Sequence, residues 1–97
     1  MHFEWDERKN RAYIRKHGFD FADAEEVFSG ALLVFPSLDD ESAEERWIGI
    51  GTIRARVVVI VFTERDAETI RIISLRRATQ REREQYEEAI KNGLEAG

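Results

Sequence analysis

Residues 57–77 read VVVIVFTERDAETIRIISLRR, and this stretch determines the fold. Its first part, 57–64, is almost entirely β-branched, which is typical of a strand buried on both faces of a sheet. A short polar connection at 65–68 leads to a second strand at 69–76. Because strands joined by so short a connection run antiparallel, the stretch predicts the centre of an antiparallel sheet.

The sequence on either side of this stretch predicts an α+β domain. Thr79 to Glu82 has the capping-box pattern that opens a helix. That helix should bury the apolar residues Tyr86, Ala89, Ile90 and Leu94. The other predicted elements are an edge strand at 3–5, helices at 6–16 and from 20 to Gly30, strands at 31–35 and 46–53, and an acidic loop at 38–45. The order β-α-α-β-β-β-β-α predicts a single domain over 1–97, an antiparallel sheet with helices packed at one face and at the ends.

Composition excludes several classes of protein. The 97 residues include no cysteine, which excludes disulfide scaffolds, zinc ribbons and thiol catalysis. The net charge of −5 excludes a protein that coats nucleic acid by bulk charge. However, 12 of the 15 basic residues are arginine, which favours recognition of phosphate or carboxylate groups. No signal-peptide pattern is visible and no apolar run is long enough to span a bilayer, so we expect a cytoplasmic protein.

Short motifs in both halves of the chain form one recognisable pattern. They are FEWD at 3–6, KN at 9–10, KHG at 16–18, Phe21, VF at 27–28, WIGIG at 47–51, FTER at 62–65 and RIISLRRA at 71–78. Together they resemble the BrnT family of ribonuclease toxins, in the same order and over almost the whole chain. Leu75 departs from the family pattern, which more usually has alanine there. Neither the acidic run nor the tail after Tyr86 carries a family motif.

The resemblance implies properties that composition alone does not. BrnT toxins have a RelE-like fold and cleave RNA without a metal cofactor. Each is neutralised by an antitoxin that carries a ribbon-helix-helix DNA-binding domain, and the pair represses its own operon. The resemblance therefore implies an RNA substrate, an antitoxin partner, contact with operator DNA only through that antitoxin, and no membrane.

Glu64 and Arg71 are the leading candidates for catalysis. Glu64 ends a strand that is otherwise apolar, and partial desolvation there would suit it to act as a general base. The alternative is a structural carboxylate at the rim, paired with Arg65 or Arg71. Arg71 interrupts an apolar strand, so it either faces solvent or binds an anion such as the phosphate of RNA. An arginine is a poor proton donor, so the acid must be a different residue.

Strand geometry decides which of these candidates meet. Side chains alternate between faces, so regular pairing puts Arg77 on the face of Arg71 and Arg76 on the other, unless a bulge intervenes. Glu64 and Arg71 lie on the two strands of an antiparallel hairpin. They share a face only if the numbers of directly opposite residues in that hairpin add to an odd value. We take Glu64, Arg71 and Arg77 as the predicted core of the site.

The remaining candidates come from the helices and strand ends. His17 either serves as a general acid or is a hydrogen-bonded histidine packed under the helices. Trp5 and Trp47 either pack in the core or stack on bases, and Arg81 and Arg83 are either solvated or contact the antitoxin. No residues have metal-ligand spacing, so no cofactor is expected. The predicted substrate-binding residues are Lys16, Arg65, Arg76 and Tyr86.

A non-catalytic function is the alternative hypothesis. A domain of this kind could act by occupying a protein target, or as a co-repressor with its antitoxin, because a fold does not by itself determine an activity.

Overall fold

The computed structural model describes residues 1–38 and 45–93, and it has the predicted order of elements. Most of the predicted acidic loop, at 39–44, and Leu94 lie outside the described residues. The strands are β1 (His2–Glu4), β2 (Leu33–Pro36), β3 (Trp47–Ile53), β4 (Arg56–Asp66) and β5 (Thr69–Arg77). The helices are α1 (Glu7–His17), α2 (Ala24–Ser29) and α3 (Gln80–Lys91), with a 3₁₀ turn at Phe21–Asp23 before α2.

The five strands form one mixed sheet in the order β1-β5-β4-β3-β2. Strands β2 to β5 make the predicted antiparallel meander. β1 is the predicted edge strand, but it pairs parallel to β5, with Glu4 opposite Arg71. Parallel pairing requires a long crossover, and the chain between β1 and β5 supplies it. As a result, the first strand lies beside the last.

The ends of the helices are determined by capping residues. The Asp6 carboxylate accepts the backbone N–H of Arg8 at the start of α1, and Gly18 ends that helix with a left-handed φ of 80°. Thr79 and Glu82 form the predicted capping box of α3. The predicted second helix is divided, because Asp20 caps a 3₁₀ turn before α2 begins.

Helices cover both faces of the sheet. The α1–α2 face carries the larger core, in which Phe21, Ile60 and Leu75 are fully buried. Gly51 lies beneath α2, where a Cβ would stand 2.9 Å from Val27 Cγ1, so the absence of a side chain there allows α2 to approach the sheet closely. The α3 face carries a smaller cluster formed by Ile50, Val59 and Tyr86.

Helix α3 buries less than predicted. Tyr86 is buried and its hydroxyl donates to the Ala31 carbonyl at 2.8 Å, but Ile90 is 40% exposed. Among the strands, α3 packs mainly against β3 and β4, so it covers only part of its face of the sheet. None of the described helices is long and apolar enough to cross a membrane.

A buried asparagine ties α1 to the turn that follows it. The Asn10 side chain accepts the backbone N–H of Phe21 at 2.8 Å and donates to Asp20 Oδ1 at 2.9 Å. Both contacts satisfy polar groups that burial would otherwise leave unpaired. Asn10 therefore fixes α1 relative to the core.

Candidate active site

A bulge in β5 controls which arginines share a face. Phe62 pairs with Ile72, but the adjacent Val61 pairs with Ser74, so Ile73 is an extra residue in the ladder. In a regular strand, residues three apart project from opposite faces. Ile72 and Leu75 nevertheless both lie in the core of the α1–α2 face. Consequently, the two arginines that flank this segment, Arg71 and Arg76, both project from the α3 face.

The same bulge separates Arg77 from Arg71. Arg77 pairs with Val58, whose side chain lies in the core of the α1–α2 face, so Arg77 projects from that side. The prediction that regular alternation places Arg77 beside Arg71 is therefore wrong. Instead, a bulge interrupts the regular pairing and brings Arg76 to the face of Arg71.

Glu64 also lies away from Arg71. The pairs Glu64 with Ile70 and Thr63 with Arg71 have even sums, so Glu64 projects from the α1–α2 face and Arg71 from the α3 face. The prediction that they share a face is wrong. The reason is a second register shift. At the turn, the numbers of the paired residues Asp66 and Thr69 have an odd sum, but Arg65 is an extra residue in β4, so the pairs that follow it have even sums.

The three residues predicted as the core of the site are therefore not brought together. Glu64 and Arg77 project from the same side, but Glu64 is six positions along β4 from Val58, the partner of Arg77. At the rise of a strand this is about 20 Å. Glu64 is exposed at one end of the sheet and Arg77 at the other.

The half of the α3 face that α3 leaves uncovered presents a polar surface. Its members are Arg46, Thr63, Arg71, Ser74 and Arg76, and we call this surface the open face. Thr63 pairs with Arg71, and the pairing of Trp47 with Phe62 places Arg46, just before β3, beside Thr63. Arg46, Thr63 and Arg71 therefore form one row. Thr63 is buried in this row, where its hydroxyl donates to the Glu45 carbonyl at 2.7 Å.

Arg71 is oriented by a carboxylate from the first strand. Its Nη1 lies 2.9 Å from Glu4 Oε2, and Arg65 Nη1 lies 3.3 Å from the same oxygen. The Arg71 side chain is 32% exposed. A guanidinium has five N–H donors, so this one contact leaves the fork able to bind an anion.

Arg76 is oriented in the same manner by the first turn of α3. Its Nη1 and Nη2 donate to Glu82 Oε1 and Oε2 at 2.7 and 2.8 Å, a bidentate pair. These hydrogen bonds lower the pKa of Glu82 to about 2 and raise the pKa of Arg76. Both candidate phosphate-binding arginines are thus held in place before any substrate arrives.

The ion pair of Glu82 makes stability depend on pH at the acid end. The pKa of Glu82 is 4.5 in an unfolded chain and about 2 in the folded protein, so the stabilisation is complete above pH 4.5 and is lost as the pH falls towards 2. Because the pair is partly exposed, we expect a loss on the order of 1–2 kcal/mol. Urea denaturation at pH 6 and pH 2.5 should show this loss in the wild type and a smaller one in Glu82→Gln. An equal loss in both would contradict the assignment.

Helix α1 borders the open face with a stripe of three side chains. Lys9, Tyr13 and His17 are four residues apart and therefore share one face of the helix. Lys9 Nζ lies 5.8 Å from the centre of the Tyr13 ring, and the Tyr13 and His17 rings are 5.4 Å apart. The three side chains therefore contact one another in a continuous row along α1.

The two ends of this stripe lie within the electrostatic reach of the open face. Partial burial lowers the pKa of His17, and the positive charges of Lys16 and Arg76 lower it further. Partial burial also lowers the pKa of Lys9, with further lowering by Arg46 and by Arg71 that the Asp6 carboxylate opposes. The fold agrees with this, because α1 follows directly on β1, where Glu4 pairs with Arg71, and packs against β5. Lys9 is therefore at the Arg71 end of the face and His17 at the Arg76 end.

The other predicted residues have mixed locations. Lys16 and Arg65 are exposed, at the end of α1 and beside Glu4 respectively. Tyr86 is buried with its hydroxyl satisfied by the backbone, so its predicted role in substrate binding is wrong. Trp5 and Trp47 pack against the core, which is the first of the two alternatives. Arg81 and Arg83 are exposed on α3.

Two residues at or beside the open face, Lys9 and Arg46, were not among those predicted from the sequence. Lys9 appeared only as part of a family motif, and Arg46 only as the start of a strand. The spacing of Lys9, Tyr13 and His17 was a usable signal, because it predicts a shared helix face. Among the residues that the structure describes, no group of three potential metal ligands occurs.

Comparisons with known proteins agree with this architecture. The family model described as the ribonuclease toxin BrnT of type II toxin–antitoxin systems matches residues 5–82. The crystal structure of the ribonuclease toxin BrnT from Brucella abortus is similar, with 35% sequence identity and a TM-score of 0.65. The match covers 82% of this chain and 99% of the Brucella chain. Comparison with curated proteins gave no match.

Proposed function

Because this chain belongs to the BrnT family of ribonuclease toxins of type II toxin–antitoxin systems, we propose that it cleaves RNA at the open face, without a metal ion. The observation that supports this location most strongly is the bulge at Ile73. It brings Arg71 and Arg76 to one face, where each guanidinium is held by its own carboxylate. The His17 imidazole lies at the border of that face.

The two arginines suit the binding of one phosphate group. Their strand partners, Thr63 and Val59, are four residues apart on β4, which corresponds to about 13 Å. An arginine side chain is long enough for two of them to reach one group midway across such a span. We propose that they donate to the non-bridging oxygens of the scissile phosphate and stabilise the charge that accumulates there in the transition state.

Cleavage without a metal requires a base that takes the proton from the ribose 2′-hydroxyl. We propose His17 for this role. Its pKa lies below 6.5, so the imidazole is neutral at pH 7 and is ready to accept a proton. This replaces the expectation that His17 is the acid. Glu64 is less suited to be the base, because it projects from the other side of the sheet.

The pH dependence of cleavage tests the role of His17. We expect the wild-type rate to rise with pH through a midpoint below 6.5 and to be level by pH 7, because only the neutral imidazole accepts a proton. His17→Gln should lower the rate by about 10²-fold and remove that rise. Glu64→Gln, the matched comparison, should cleave near the wild-type rate. If Glu64→Gln is slow and His17→Gln is not, the base is Glu64.

The activity itself is tested with purified protein and naked RNA at pH 7 in EDTA. We expect cleavage that leaves a 2′,3′-cyclic phosphate on one fragment and a 5′-hydroxyl on the other, since the 2′-oxygen attacks the adjacent phosphorus. A folded wild-type protein that binds RNA but does not cleave it under these conditions would favour the non-catalytic alternative.

A toxin of a type II system has an antitoxin as its partner. We propose that this antitoxin carries a ribbon-helix-helix domain, contacts the operator DNA itself and represses the operon together with the toxin in the cytoplasm. An exposed groove lined by Arg56, Arg77, Arg83 and Glu87 supports an acidic segment in that antitoxin, because three of its four charges are positive.

A further inference from the structure

Lys9 is a cation surrounded mainly by other cations. It is half-buried on α1, and the charges that act on it are those of Arg46, Arg71 and Asp6. No carboxylate within the described ranges 1–38 and 45–93 forms an ion pair with it. The carboxylate of Glu4 is already bound by Arg71. A half-buried lysine normally gains a negative partner, and a site that lacks one favours an anionic ligand.

Arg46 gives an independent indication of the same ligand. Its Nε is buried, and no atom of the described residues accepts a hydrogen bond from it. An unpaired buried donor costs about 1–3 kcal/mol, and more when the group is charged. A phosphate bound by Arg71 would bring a negative charge to the side of the open face where Arg46 lies, and would neutralise the like charges around Lys9.

We propose that Lys9 is the general acid of the cleavage reaction, placed beside Arg46 and Arg71 to protonate the 5′-oxygen that leaves the scissile phosphate. This inference rests on the proposed ribonuclease function. It gives that function the proton donor that an arginine cannot supply, because a guanidinium does not release its proton in a protein. It also assigns Arg46 as a further contact to the phosphate.

The proposed step balances its bonds and protons. The 2′-oxygen forms a bond to phosphorus as its proton passes to the neutral imidazole of His17. The bond from phosphorus to the 5′-oxygen breaks, and that oxygen takes a proton from the Lys9 ammonium. The products are a 2′,3′-cyclic phosphate and a 5′-hydroxyl, and a proton moved from His17 to Lys9 through water restores the starting state.

The position of Lys9 suits it to this role. Lys9 and His17 are eight residues apart on α1, which is about 12 Å along the helix. Because α1 follows directly on β1, where Glu4 pairs with Arg71, and packs against β5, Lys9 in its first turn lies nearer Arg71 and His17 in its last turn lies nearer Arg76. The base and acid of an in-line displacement likewise lie on opposite sides of the phosphorus. Partial burial and the neighbouring arginines lower the pKa of Lys9, which makes its ammonium a better donor.

A leaving group that needs no proton distinguishes an acid from a simple phosphate contact. The probe is an RNA in which the 5′-bridging oxygen at the cleavage site is replaced by sulfur, because a thiolate leaves readily without protonation. Lys9→Arg keeps the charge but cannot donate a proton, so it should cleave ordinary RNA about 10²-fold more slowly than wild type. On the sulfur substrate its rate should return to within about tenfold of the wild type.

The controls separate the possible outcomes. Lys91→Arg, on the exposed end of α3, should behave as wild type on both substrates, and thermal melts should show that both variants are folded. The same loss on both substrates would show that Lys9 only binds phosphate, and no loss on either would exclude it from the site; both results overturn the inference. If wild type cleaves neither substrate, the proposed function itself is wrong.

Discussion

Replacing Arg71 with alanine is expected to reduce RNA cleavage by about 10³-fold or more while leaving the protein folded. An arginine that stabilises a phosphoryl transition state contributes on this scale, because its fork donates to the oxygens where charge accumulates. Arg71→Lys should recover only part of the loss, since an ammonium lacks the fork. The measurement is single-turnover cleavage of a labelled RNA at saturating protein.

The fold should tolerate this change. Arg71 is on the surface of the sheet, and its ion pair with Glu4 is partly exposed, so its loss should cost no more than about 1 kcal/mol. Arg54→Ala is the matched control, because it also removes an exposed arginine that is paired with a carboxylate. If Arg71→Ala cleaves within tenfold of wild type, the open face does not hold the scissile phosphate.

Phe21→Ala is expected to cost about 3–5 kcal/mol of unfolding free energy. Phe21 is fully buried under α1, where its ring packs edge-on against Tyr13 at 5.3 Å, and truncation leaves a cavity. For a domain of this size the loss lowers Tm by roughly 15 °C or more. It should therefore weaken toxicity in cells, although it alters no residue of the open face.

Urea denaturation with an unchanged m-value would measure this cost. Leu38→Ala serves as the comparison, since Leu38 is 91% exposed and its truncation should change stability by less than about 0.5 kcal/mol. A loss of less than 1 kcal/mol in Phe21→Ala would mean that the α1–α2 face is not the principal core.

The elements of the fold follow from local sequence signals. Asp6, Gly18 and the capping box at Thr79 mark helix ends through backbone chemistry that acts over a few residues, and the predicted capping box is confirmed. The β-branched run in β4 predicted a central strand for a similarly local reason. The parallel pairing of β1 was missed, because nothing in three residues specifies a partner more than sixty positions away.

The site was harder to predict because it depends on strand register. Ile72 and Ile73 are chemically identical, and neither a glycine nor a proline marks which of them is the extra residue of the bulge. A shift of one residue moves every following side chain to the other face. The grouping of Glu64 and Arg77 with Arg71 therefore assumed a strand register that differs from the observed one.

Lys9 shows a different limit of the sequence. Its proposed importance comes from Arg46, just before β3, and from Arg71 on β5, and not from its neighbours in α1. The turn between β3 and β4 is similar, because Arg54 and Ala55 both have positive φ values although neither is glycine or asparagine. In both places tertiary structure prevails over local preference.

The contact between Glu4 and Arg71 has a consequence for the order in which the protein is made. The two residues are 67 positions apart, so a growing chain carries the carboxylate long before the arginine that it orients. Until β5 has left the ribosome and paired with β1, neither Arg71 nor Arg76 is held beside α1. On our assignment, an unfinished toxin is harmless to the messenger from which it is being translated, and activity begins only with the completed sheet.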